Sequence, residues 1–126
     1  MNSEEISKKI LYQRIRNRII EVLEITADPS QHEKFGGDEI ICMWEDWVDD
    51  QKLPEYVEPV FSQEEQTAIS EYHKIWNEVA DNTPHLMPSV NELVKNAYWQ
   101  KLIKQAEKAL TVFSIKGRYS EEVEIT

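Results

Sequence analysis

Apolar side chains recur along this chain at a spacing of about 3.6 residues, in four stretches separated by proline, glycine and capping residues. No pair of segments reads as paired strands, and the linkers are short, which favours antiparallel neighbours. The pattern therefore predicts an all-α fold: a single domain over residues 1–126, built as a bundle of about four helices. An extended, proline-containing strap is expected between helices two and three.

The first helix is expected to open near Asn2 or Ser3, whose side chains can cap free N–H groups, with Glu4 and Glu5 in its first turn. It runs to about Thr26, and Leu11, Tyr12, Ile15, Ile19, Val22 and Leu23 form its apolar stripe. Arg14 and Arg18 stand outside that stripe, one turn apart. Ile6 and Ile10 point roughly the other way, which suggests a second contact surface and, at its simplest, a homodimer. Asp28-Pro29-Ser30 ends the helix, and residues 29–37 read as loop, finishing in Gly36-Gly37.

Helix two is expected over residues 38–50, capped by Asp38. One side carries Ile40, Ile41, Met43, Trp44, Trp47 and Val48; the other carries Glu39, Cys42, Glu45, Asp46, Asp49 and Asp50. Pro54 and Pro59 then discourage helix, leaving Tyr56, Val57, Val60 and Phe61 to lie over the core. Ser62 and Glu65 have the spacing of a capping box and open helix three, whose face is Ala68, Ile69, Tyr72, Ile75, Trp76 and Val79. Asp81 to Pro84 stops it. Ser89 and Glu92 repeat the box and open helix four, which reaches about Phe113 with a stripe that rotates near Tyr98: Val90, Leu93, Val94 and Ala97 first, then Trp99, Leu102, Ala106, Ala109, Leu110 and Phe113. Gly117 can end it, and residues 118–126 read as a tail free to be flexible.

Charge is segregated along this frame. Residues 28–92 hold sixteen of the 24 acidic side chains and three of the 14 Lys and Arg, a net of −13 in a chain whose total is −10. Nucleic-acid backbone and anionic lipid would be repelled by that segment. The aromatic content, four Trp, five Tyr and three Phe, argues for a packed globule and against acidic disorder. A single cysteine, Cys42, excludes an intrachain disulfide. With no apparent leader and no run of about 18 apolar residues, a cytoplasmic protein is expected.

Helix two is where local physics and sequence disagree. Asp46 with Asp50, and Glu45 with Asp49, are like-charge pairs one turn apart, each costing a helix about 0.2–0.5 kcal/mol. Asp49 and Asp50 would also sit at its C-terminus, where the helix dipole disfavours anions. Neutralisation from within the chain, by Lys8, Lys9, Arg14, Arg16, Arg18, Lys95, Lys101, Lys104 and Lys108, is the plain explanation. The sharper one is a docking face for a basic protein, formed by Glu45, Asp46, Asp49, Asp50, Glu55 and Glu58 around Trp44 and Trp47. Metal binding by clustered carboxylates is a third, though the ligand alternation and glycine of a calcium loop are missing.

Catalytic signals are weak. His32, His73 and His85 lie on separate segments and form no paired-ligand motif. Cys42 among carboxylates is disfavoured as a thiolate. There is no glycine-rich phosphate loop, nucleophile elbow or CxxC, so no catalytic residue, metal or cofactor is assigned. The expected function is a small acidic binding protein of the inhibitor, antitoxin or immunity type, neutralising a basic partner such as a nuclease toxin by standing where phosphates would go. The alternative is a structural or scaffolding homo-oligomer subunit without activity, with a carboxylate metalloenzyme third.

Overall fold

A computed structural model describes residues 7–82 and 95–125, which contain five α-helices, one 3-10 turn and no strand. The helices are α1 (Lys8–Ala27), α2 (Pro29–Phe35), α3 (Gly37–Glu45), α4 (Gln63–Asn82) and α5 (Ala97–Phe113), with the 3-10 turn at Leu53–Glu55 between α3 and α4. The all-α class follows the sequence pattern. Helix α5 packs against both α1 and α4, while α2 and α3 close over α1.

Ser7 caps α1, its Oγ accepting the Ile10 N–H at 3.1 Å, so the helix opens later than the Asn2 or Ser3 start expected from sequence. The core takes Ile19, Val22 and Leu23 from the expected stripe, and Ile10 and Ile20 from outside it. A second face of the same helix, Gln13, Arg16 and Asn17, is also buried. Helix α1 is therefore covered on two sides, once by apolar and once by polar groups.

Residues 29–35 are helical rather than loop. Asp28 ends α1 and immediately caps α2, accepting from the Ser30 N–H at 3.0 Å, while Pro29 occupies the first helical position, where its missing N–H costs nothing. Gly36, with φ 79°, turns the chain into α3. The gain is a buried His32, whose Nδ1 accepts the Trp99 indole N–H at 3.2 Å and whose Nε2–H faces the Thr26 carbonyl at 2.9 Å. An indole can only donate, so this contact fixes the tautomer.

The capping box at Ser62 and Glu65 is formed: Ser62 N–H donates to Glu65 Oε1 at 2.9 Å, and Glu65 N–H to Ser62 Oγ at 3.2 Å. The expected face of α4 is buried at Ala68, Ile69, Tyr72, Trp76 and Val79. The second box, Ser89 and Glu92, lies outside the described residues, as do Val90, Leu93 and Val94. An unbroken helix from there to Phe113 is ruled out, because Asn96 is extended and caps α5, its Oδ1 accepting from Tyr98 and Trp99 N–H. The rotation of the stripe near Tyr98 marks that new start. Trp99, Leu102, Ala106, Ala109 and Phe113 are buried; each large one contributes about 1.5–3 kcal/mol by leaving water.

The tail has partners in the bundle. Residues 119–125 lie antiparallel along the polar face of α1 and take hydrogen bonds from Lys9, Gln13, Arg14 and Asn17. Sequence gave it no assignment because it has neither helical nor strand periodicity; its partners are side chains, not a backbone ladder.

Candidate functional site

The acid segment is shaped by where α3 stops. The helix ends at Glu45, with Asp46 as its C-cap, and residues 46–52 form turns instead of the further helical turn expected. Asp49 Oδ1 accepts from the Gln51 N–H at 2.9 Å and from the Lys52 N–H at 2.8 Å. Asp49 thus caps a turn and does not oppose a helix dipole, and Glu45 and Asp49 no longer share a helical face. The conflict seen in sequence is resolved by shortening the helix.

Glu45, Asp46, Asp50, Glu55 and Glu58 are exposed and Asp49 is half-buried. The bases of α1 are mostly committed elsewhere: Arg16 to Glu65, Arg18 to Glu21 and Glu121, and Arg14 to the Glu121 carbonyl. Lys101 of α5 pairs with Glu78. Among the described residues the cation at the centre of the patch is Lys52, 3.9 Å from Asp49 and donating to the Asp46 carbonyl at 3.2 Å. Lys8 and Lys9 stand across a cavity from Glu55 and Glu58, so neutralisation within the chain reaches the flank of the patch more than its centre.

Two tyrosines register this negative surround. Tyr12 donates to Glu55 Oε1 at 3.0 Å, and its phenol is held above the usual range by loss of solvent first, then by that bond and the Glu55 charge. Burial, followed by the charges of Tyr12, Asp49 and Glu55, pushes the Tyr56 phenol further up. Tyr56 donates to the Trp47 carbonyl, tying the acid turns to the core.

The two tryptophans assigned to this face part company. Trp44 is fully buried, its ring 4.3 Å from that of Tyr72 and its Nε1–H donated to His73 Nδ1 at 3.1 Å. It cannot meet a partner, and its removal from the contact set is a correction: a stripe residue on a short helix under α4 has no path to the surface. Trp47 is half-buried and, with Leu11 and Ile15, lines a cavity of about 270 Å³ rimmed by Arg14, Arg18 and Glu121. Leu11, expected in the core, is 46% exposed there. Ile10, expected on a dimer surface, is buried in the core and is unavailable for that use; Ile6 lies outside the described residues.

His73 Nε2 is 3.0 Å from Asp50 Oδ1, and its ring stacks on Trp76. With Nδ1 receiving the Trp44 indole N–H, both ring nitrogens are engaged. Cys42 is exposed on the acid side of α3. His85 lies outside the described residues. Among the described residues, no three His, Cys, Asp or Glu side chains converge in a way that would hold a metal ion, and no helix is long and apolar enough to cross a membrane.

Sequence reasoning missed the polar face of α1. Arg16 and Glu65 are both buried and joined by hydrogen bonds of 2.6 and 2.7 Å, and Arg16 also donates to the Val60 and Gly117 carbonyls. The signal was Gln13, Arg16 and Asn17 at helical spacing, a polar stripe as regular as the apolar one. No protein-family model, curated protein or solved structure matches the chain.

Proposed function

We propose that the chain is a non-catalytic, cytoplasmic binding protein that docks a basic partner on its acid turns, in the manner of an inhibitor, antitoxin or immunity protein. One observation carries this reading. Glu45, Asp46 and Asp50 are exposed on the turns that flank the half-buried Trp47, with Lys52 as the cation among them, while Arg16 and Arg18 of α1 are paired with Glu65 and Glu121. A half-buried aromatic side chain beside exposed carboxylates suits an interface in which an anchor holds and charge steers. A cationic protein that normally grips phosphates, such as a nuclease, is the partner class such a surface would block.

The test uses immobilised chain to capture a partner from its native host at low salt, followed by binding kinetics with the purified partner. Association is expected to slow by about tenfold or more between low and physiological salt. Glu45→Lys with Asp46→Lys should slow it by a similar factor without altering the melting temperature. Asp49 is left unchanged because its carboxylate holds a turn. A partner whose association rate ignores both salt and the reversals removes the reading.

A further inference from the structure

The side chains of α1 read the backbone of residues 119–125 as a peptide-binding groove reads a ligand. Asn17 pairs with both backbone groups of one residue, accepting the Tyr119 N–H at 3.0 Å and donating to the Tyr119 carbonyl at 2.8 Å. Gln13 donates to the Ser120 carbonyl at 2.7 Å and the Val123 carbonyl at 2.9 Å, and accepts the Ile125 N–H at 2.9 Å. Arg14 Nε adds the Glu121 carbonyl at 2.8 Å, and Lys9 the Ile125 carbonyl at 3.3 Å. Both amide side chains are buried beneath the segment, which supplies their hydrogen-bond partners.

Two positions are read by side chain. The Arg16 guanidinium stands 4.1 Å from the centre of the Tyr119 ring, within cation–π range. Two residues on, the Glu121 carboxylate takes the Asn17 amide at 3.0 Å and pairs with Arg18. Between and beyond them Ser120, Glu122, Val123 and Glu124 face solvent, Val123 at 68% exposure. Of its apolar side chains only Tyr119 and Ile125 are half-buried against the core. It is retained by polar contacts and these two apolar ones, which another chain of the same chemistry could supply, and by its tether through Gly117, whose φ of 70° sets the turn.

We propose that this face of α1 is a binding site for an extended peptide with an aromatic residue followed two positions later by a carboxylate, which residues 118–125 fill in cis and a partner's segment of that chemistry fills by displacement. The site rests on none of the acid-turn residues and stands or falls apart from that face. A tethered segment competes at an effective concentration of millimolar order, so weakening the tethered copy must strengthen binding in trans.

The probe is a fluorescent synthetic peptide with the sequence of residues 118–125, titrated into the full chain and into a Tyr119→Ala, Glu121→Gln variant. The variant should bind it about tenfold or more tightly than the unsubstituted chain. The same peptide carrying those two changes should bind at least about tenfold more weakly. In the isotope-labelled, unsubstituted chain, about millimolar unlabelled peptide should shift the Tyr119 and Ile125 backbone amide resonances saturably as their own segment leaves Asn17 and Gln13, a readout that holds even if the variant fails to fold. A folded variant that binds no peptide at that concentration, or amide resonances that do not move, overturns the proposal.

Discussion

Arg16 and Glu65 face each other in the core through two parallel hydrogen bonds, while Glu65 also accepts the Ser62 N–H that opens α4. One carboxylate thus joins α1 to the first turn of α4. Glu65→Ala would strand a buried guanidinium and remove half of a capping box. The expected loss is about 3–5 kcal/mol, with about 1 kcal/mol more from the cap. Replacing both partners together, Arg16→Met with Glu65→Leu, should cost less than Glu65→Ala alone, because no charge is left behind. Urea unfolding of the three variants measures this; a double variant less stable than the single one would contradict it.

The apolar half of this arrangement was legible in the sequence and the polar half was not. Trp99, Leu102, Ala106, Ala109 and Phe113 are spaced as a helix face and are buried as one, because a local apolar period marks the side a helix turns to the core. Ser62 and Glu65 were legible because the two ends of a capping box lie three residues apart. Arg16 and Glu65 are 49 residues apart, and Asn17 and Tyr119 are 102 apart; nothing local announces either pair. The helix at Pro29 was misread for a different reason. Asp-Pro can stop one helix and start the next, and here it does both. In the acid face, the exposed carboxylates stood where their type suggested, whereas Trp44 was decided by packing against Tyr72 and His73.

His73 is held from two sides of unequal weight. Trp44→Phe removes the buried donor to Nδ1 and should cost about 1–3 kcal/mol for the unsatisfied nitrogen, besides lost packing. Asp50→Asn changes a side chain that is 90% exposed and should fall within about 0.5 kcal/mol. Thermal unfolding of the two variants at one pH compares them. A larger effect at Asp50 would mean that the acid turns brace the core, and that their charges are structural.

Among the acid turns, stability and recognition separate by residue. Asp49→Ala leaves the Gln51 N–H without its side-chain acceptor and the Lys52 N–H with the Asp49 carbonyl alone, and should cost about 1 kcal/mol, as loss of a cap does. Glu45→Ala and Asp46→Ala should stay within about 0.5 kcal/mol, being surface changes whose side chains satisfy nothing local. Denaturation midpoints of the three variants decide it. Equal losses at all three would remove the distinction on which the choice of Glu45 and Asp46 as test positions rests.

Acid should loosen the segment on α1 before it unfolds the core. The Asn17 amide first, then the Arg18 and Arg14 charges, hold the Glu121 carboxyl below its ordinary value of 4.5, against a smaller opposing effect of desolvation. A carboxyl depressed in the folded state contributes stability that is fully present above its unfolded value. That contribution disappears as pH falls through the lower folded value. Glu121→Gln should therefore be less stable than the unsubstituted chain at pH 7, and the gap should narrow once pH drops below about 4.5. Hydrogen exchange locates the effect: the Tyr119 and Ile125 N–H groups, which donate to Asn17 and Gln13, should lose protection over that same interval while the amides of α5 keep theirs. Simultaneous loss in both places would mean that the segment and the bundle unfold as one unit. A gap that stays constant with pH would show that the Glu121 charge does not hold the segment at all.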